Sequence, residues 1–568
     1  MNIAAADSSP APLPPLPPPS PCAFLGVPYD HYKLPDNSDL YVTSFGRPFL
    51  RQLRPESWYA SDWFSSAREK LQGTSRVYRV RTRPLPGTPP KDLVVKWCRV
   101  GEEVPIDTFT LNKFIEAEFN SPYEEFSLLL EMRAAARPGS IRTQKPLAIY
   151  VPAKRFELWQ TGRSQSKIAR KKAKFRDVEL DIYRQYILIY EWIKGVAATE
   201  PEAIAAAAAD PAIPPDPPFP DLMLRRSVAD MWKAGFRVLD VKPQHVIVRP
   251  RPSPAAPLLR DHAGDLVYAL VDFELLARTP EHEAEILATR RQDYLERQRD
   301  RFTPAPAAPP CPSHLSYVSI WGVDYVHGAC ESTNGKLWVV GRDPALFDYF
   351  QPERWRRTPR TSLSDTARVY RTTTKDNIQL VWKVAHVGDI PEPDDPLSFH
   401  GYNSPFEEVA FALRLSAAGV PTTYPRAIYM LGHMSTLPPD SLDPRRFASH
   451  AHLRMPDGAP ILQKERNYIV IWGYWNGLDE DLAAAAPQHP LCHGINAREA
   501  LDRGLITPDE AELLDRKTAR LLASGGFIDA RPSPTHYLLT LLPDNSLLRD
   551  PDSTPAVRIC TFETLRPL

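Results

Sequence analysis

The chain has 568 residues, 43% hydrophobic and 24% charged, proportions that exclude a wholly disordered protein and allow several buried cores. Lys+Arg and Asp+Glu both number 69, so the formal net charge is zero and no global field draws the protein to nucleic acid or an anionic membrane. The six cysteines are scattered without a CxxC pair, which excludes a zinc ribbon or a disulfide framework and points to a reducing, cytoplasmic compartment. No apolar run reaches the roughly eighteen residues of a membrane helix, so no membrane span is expected.

Residues 1–22 are rich in proline and lack the basic start and apolar core of a secretory signal; a disordered, partly polyproline tail is expected there. Next come short apolar, β-branched runs of strand length, among them "LVVKW" with Lys96. "NSPYEEFSLLLEMRAA" opens on Ser-Pro and places Phe126, Leu129, Leu130 and Met132 at helical spacing. A second strand, "YILIYEW", ends in Glu191 and Trp192. "LDVKPQHVIV" and "YALVDFE" follow, each joining a carboxylate to an apolar strand, and then a charged helix after Thr279. A Pro/Ala-rich linker is expected at 303–314, stiff rather than flexible.

Beyond the linker the chain repeats itself. "DLYVTSFGRPFLRQLRPESW" from Asp39 matches "KLWVVGRDPALFDYFQPERW" from Lys336, and "LVVKWCRVGE" matches "LVWKVAHVGD". "FNSPYEEFSLLLEMRAA" pairs with "YNSPFEEVAFALRLSAA", "YILIYEWIKG" with "YIVIWGYWNG", "AGFRVLDVKPQHVIV" with "GGFIDARPSPTHYLL", and "VDFELL" with "CTFETL". The blocks keep their order and nearly constant spacing, so the chain reads as a tandem duplication with copies at 23–302 and 315–568.

In the first copy the blocks resemble those of protein-kinase-like enzymes, which implies an α+β fold of two tandem bilobal domains, a small β-rich lobe and a larger helical lobe in each. In that family a strand lysine and a helix glutamate position nucleotide phosphates, a catalytic-loop aspartate orients the attacking hydroxyl, and a second aspartate holds magnesium. Carried over residue by residue, Lys96 is the strand lysine and Glu125 its helix partner, with Glu124 as rival. Glu191 and Trp192 would offer backbone groups to an adenine edge. Asp240 and Lys242 would be catalytic, and Asp272 and His245 would be the metal ligands. ATP and Mg²⁺ are the implied cofactors.

The departures are specific. His245 stands where Asn is usual, as in the lipopolysaccharide core sugar kinases, Glu274 replaces the glycine after Asp272-Phe273, and no glycine-rich loop precedes Lys96, the stretch "LQGTSRVYRV" offering Gly73 alone. In the second copy Asp240 aligns with Arg531, Lys242 with Ser533 and Asp272 with Thr561, while His536, Lys383 and Glu408 remain, and Asp529 lies two residues early. The expected function is an ATP- and magnesium-dependent phosphotransferase acting on a hydroxyl of a protein, sugar, lipid or small molecule. The second copy would be a pseudokinase-like partner in contact with the first. The alternative is a double pseudokinase, an inactive interaction scaffold gated by nucleotide. Nucleic acid is not an expected partner: the basic run "SKIARKKAKFR" at 166–176 has a single aromatic, Phe175, and reads as a solvated helix face.

Overall fold

Short β-branched runs separated by turns build sheets, and the longer amphipathic stretches become helices packed on them. The protein, seen in a computed structural model, is described over residues 13–71, 76–98, 120–135, 141–155, 184–253, 257–302, 311–356, 358–364, 367–435, 441–475 and 492–568. The architecture is mixed α+β, and the chain divides into two compact units, one running to Glu285 and the other from Ile286. Gly73, the basic run at 166–176 and most of the expected linker lie outside the described residues.

In the first unit, β1 (Ser20–Phe24), β2 (Val27–Lys33), β3 (Asp39–Val42), β4 (Arg68–Lys70), β5 (Val77–Arg81), β6 (Asp92–Trp97), β8 (Pro146–Val151) and β9 (Ile187–Glu191) form one antiparallel sheet ordered β1-β2-β3-β8-β9-β6-β5-β4. One face closes over Leu53, Trp58 and Phe64. The Pro122–Ala135 helix buries Tyr123, Phe126, Leu129 and Met132, each apolar side chain contributing about 1.5–3 kcal/mol. Beyond the sheet, β7 (Arg142–Thr143), β10 (Val196–Ala197), β12 (Val246–Val248) and β13 (Tyr268–Leu270) make a small sheet, and β11 (Phe236–Val238) pairs with β14 (Leu276–Arg278). These short strands carry the two acidic loops.

The second unit repeats the plan. Strands β15 (Leu315–Ile320), β16 (Val323–Cys330), β17 (Gly335–Val340), β18 (Arg360–Ser362), β19 (Val369–Thr373), β20 (Gln379–Val384), β21 (Pro425–Met430) and β22 (Tyr468–Gly473) run in the order β15-β16-β17-β21-β22-β20-β19-β18, the same path as in the first sheet. Even the irregularity is shared: the register shifts at Pro146/Ala148 and at Pro425/Ala427, where a proline without an amide donor begins the strand. Then follow β23 (His493–Asn496), β24 (Phe527–Asp529), β25 (Tyr537–Leu541), β26 (Val557–Ile559) and β27 (Leu565–Pro567), with β24 paired to β27 as β11 is to β14. Gly235 and Gly526, at φ +84° and +80°, turn each chain from a long helix into that strand, a conformation that costs glycine little.

Two boundaries differ from the sequence reading. The expected tail at 1–22 ends earlier, because Ser20–Phe24 is a strand with Cys22 buried, and Arg54 donates to the Pro14 carbonyl at 2.6 Å. The first copy also ends earlier than 302. Within the Pro280–Asp300 helix the residues from Ile286 onward pack in the second unit: Arg290 pairs with Asp348 at 2.8 Å and with buried Asp376, Tyr294 joins its core, and Arg426 donates to Gln298 at 2.9 Å. The proline-rich composition after 302 drew the boundary to the wrong place, since composition reports chain stiffness and not which core a helix face meets.

Candidate functional site

The helix start decides which of two adjacent glutamates turns inward. Ser121 and Glu124 form a reciprocal cap, the Glu124 amide donating to Ser121 Oγ at 3.2 Å and the Ser121 amide to Glu124 Oε2 at 2.9 Å. Glu124 is thereby spent on the helix end, and Glu125 is fully buried. Lys96, also buried, places Nζ 3.3 Å from Glu125 Oε1, 2.9 Å from Asp272 Oδ1 and 3.3 Å from Glu274 Oε2. Burial alone would lower the lysine pKa, but Asp272, Glu125 and Glu274 outweigh it and hold the ammonium well above its ordinary value. Burial pushes Glu125 up against the opposing pull of Lys96 and the Tyr190 hydroxyl, which donates to it at 2.5 Å. Glu125 Oε2 has no hydrogen-bond partner among the described residues.

The loop after β13 brings Asp272 to this point with φ +69°, a left-handed conformation that aspartate tolerates better than bulkier residues. Asn120, just before the helix, holds the loop: its amide donates to the Glu274 carbonyl and its side chain to the Leu276 carbonyl, both at 3.0 Å. His245 lies beside Asp272, Nε2 to Oδ2 3.7 Å, and the Val271 amide donates to the His245 carbonyl at 3.1 Å. His245 Nδ1 is buried and has no hydrogen-bond partner among the described residues. Lys96, Glu125, Asp272 and His245 therefore meet.

The other expected site residues stand apart from that cluster. Asp240 and Lys242 form an ion pair of 2.9 Å with about half of each side chain exposed, 52% and 54%. Glu191 is held by Lys91 at 2.9 Å and Lys145 at 3.2 Å; burial raises its pKa less than those two lysines lower it. Its amide donates to the Lys145 carbonyl at 3.0 Å, the Trp192 amide to the Asp92 carbonyl at 3.4 Å, and Arg79 lies over the Trp192 ring. These two backbone donors, expected to face a nucleotide base, are already used inside the fold.

The second unit shows what remains when the aspartate is lost. Lys383 Nζ sits 2.6 Å from Glu563 and 3.7 Å from buried Glu408, whose Oε1 again lacks a partner among the described residues. His386 Nδ1 is 2.8 Å from the same Glu563 oxygen. Asn403 repeats Asn120, its amide donating to the Glu563 carbonyl at 2.8 Å and its side chain to the Phe562 carbonyl at 2.9 Å. Asp529 does not slip into the catalytic position. It accepts from Thr564 at 2.7 Å and from the Arg531 amide at 3.0 Å, and lies 2.7 Å from His536 Nδ1. The residue aligned with Asp529 in the first unit is Val238, which is why His245 Nδ1 has no matching acceptor.

Glu274, Glu563 and the two asparagines escaped sequence reading. The signal was present: "NSP" and "FE" recur in both copies, but a glutamate in place of a familiar glycine reads as a loss until its carboxylate is seen on the lysine.

Magnesium takes oxygen ligands and keeps waters and phosphate oxygens in its shell. Among the described residues no group of three or more His, Cys, Asp or Glu side chains is arranged to cage an ion. The donors suit an ion completed by ligand oxygens: one partly exposed carboxylate, Asp272, one imidazole, His245, and three carboxylates facing a single ammonium. No protein-family model matches the chain, and no curated protein matches it either.

Proposed function

We propose that the first unit is an ATP- and magnesium-dependent phosphotransferase with a hydroxyl acceptor, resembling protein-kinase-like enzymes, and that the second unit is its non-catalytic counterpart. One observation carries the reading. Asp272 reaches, across 176 residues of sequence, a lysine already gripped by a helix glutamate, and the spare imidazole of His245 stands beside it. Strand lysine, helix glutamate and post-strand aspartate follow the order that phosphoryl transfer requires in that family.

Asp272 and His245 would hold magnesium, which when bound neutralises phosphate charge. Lys96, kept protonated by its carboxylates, would face the phosphates. Asp240 is exposed, where an acceptor hydroxyl can reach it, and its carboxylate would orient that hydroxyl and take its proton. Lys242, two residues on, would leave its ion pair with Asp240 to balance charge on the transferring group.

Glu274 supports a second reading. It occupies Lys96 together with Asp272 and Glu125, and such a closed arrangement suits a scaffold that binds nucleotide without turning it over. The test is a melting-temperature titration with ATP and Mg²⁺ beside a γ-phosphate release assay on the full chain. A shift with release that Asp272→Ala abolishes supports the enzyme; a shift without release supports the scaffold; neither, in folded protein, overturns both.

A further inference from the structure

Strand β6 has two faces, and the Lys96 cluster occupies only one. Lys96 points to the helix side, while its neighbour Trp97 projects to the opposite face because alternate strand residues do so. There Trp97 helps line an open cavity of about 540 Å³, within the roughly 300–1,000 Å³ of small-molecule sites. Tyr59, Phe64 and Tyr78 make the rest of an aromatic wall: Trp97 lies 5.8 Å from Phe64 and 5.6 Å from Tyr78 by ring centroid, and Phe64 lies 5.6 Å from Tyr59.

The charged part of the described lining has one sign. Arg68 and Arg76 are exposed at the cavity, and among the described residues no carboxylate lines it and neither arginine makes an ion pair. The Arg68 guanidinium is 4.9 Å from the Phe64 ring and 5.1 Å from the Tyr78 ring, so it is held beside the aromatic wall rather than extended into solvent. Flat aromatic surfaces with fixed guanidinium groups at their edge recognise a flat ring that carries a negative group. The second unit offers an internal contrast. Arg360 again stacks on Tyr370 and also lies over Trp382, which takes the place of Val95, while Trp97 is replaced by buried Val384, so the second unit's tryptophan stands two residues earlier on the strand.

We propose that this cavity of the first unit binds a small planar aromatic anion, an aryl carboxylate or aryl phosphate, at a site separate from the Lys96 cluster. Ring stacking on Trp97 and Tyr78 and charge-assisted hydrogen bonds from Arg68 and Arg76 are the recognising contacts.

The test is calorimetric titration of the full chain with 2-naphthoate, 2-naphthyl phosphate, neutral 2-naphthylmethanol and non-planar cyclohexanecarboxylate. One or both naphthyl anions should bind, and the one that binds tighter identifies the anionic group. The neutral and the non-planar probes should bind at least about tenfold more weakly, the loss of one charge-assisted contact. Arg68→Gln with Arg76→Gln, both on exposed residues and so compatible with folding, should weaken the naphthyl anion by at least about tenfold. Trp97→Val, the second unit's residue, should do the same. The proposal is overturned if neither naphthyl anion binds the folded chain, if the neutral probe binds as well as the charged ones, or if the arginine pair can be replaced without effect.

Discussion

The Lys96 and Lys383 clusters are built on the same strand, helix and loop, yet they differ in what surrounds the ammonium. Both keep the helix glutamate and the glutamate that follows the loop phenylalanine, because a buried ammonium without a carboxylate is too costly to fold. Glu563, at 2.6 Å, and Glu408, at 3.7 Å, meet that need in the second unit. Asp272 is therefore surplus to what stability demands, and it is held at φ +69° with its side chain 36% exposed. A left-handed, partly exposed carboxylate that the other cluster does without is the group on which the proposed phosphotransfer depends. The histidines differ in the same way: His536 is tied to Asp529 at 2.7 Å, whereas His245 keeps a buried nitrogen without a partner among the described residues.

The sharpest way to break the comparison is activity. Asp272→Ala should lower magnesium-dependent γ-phosphate release by about 10²-fold or more, whereas Thr561→Ala should leave it unchanged; equal effects would mean that Asp272 is structural. Stability comes next. Lys383→Met leaves Glu408 and Glu563 buried without their cation and should cost about 3–5 kcal/mol in denaturant unfolding. Glu563→Gln should cost about 2–3 kcal/mol, since Lys383 and His386 both lose it. Glu274→Gln should cost about 1 kcal/mol or less, because Lys96 keeps Asp272 and Glu125, and it should tighten ATP binding by removing a rival anion.

Exchanging the histidine partners is a smaller perturbation. Asp529→Val should destabilise by about 1–3 kcal/mol by stranding His536. Val238→Asp should give His245 Nδ1 an acceptor like that of His536 and lower magnesium-dependent γ-phosphate release by holding the imidazole away from Asp272. The pH profile gives the finest distinction. Glu563 is held well below the ordinary carboxylate range, Lys383 and His386 outweighing the burial that would raise it. Its stabilisation is therefore complete above the unfolded carboxylate value and is lost as pH falls below it. Glu408 runs the other way, raised by burial to about 7. Its contribution is complete at acid pH and is lost as pH rises through about 7. Glu408→Gln should therefore flatten the stability profile between about pH 5 and 7 relative to the wild type.

Much of the site was legible because its parts are local. "NSPYEE" carries its own cap and aims Glu125 inward, and "LVVKW" is a strand whatever it packs against; the repeat then doubles each signal. By itself, the sequence determined the strands that carry Lys96 and Glu191, the helix opening on Ser121-Pro122 and the repeated order of blocks, and it left Glu124 as a rival to Glu125. Only the tertiary structure decided that Glu274 and Glu563 would sit on the lysines, that Glu191 and Trp192 would spend their amides inside the fold, and that the Pro280–Asp300 helix would pass to the second unit after Glu285. The physical reason is range. Capping and periodicity are settled within a few residues, whereas an ion pair across 176 residues, or the choice of which core a helix face meets, depends on groups that only the folded chain brings together.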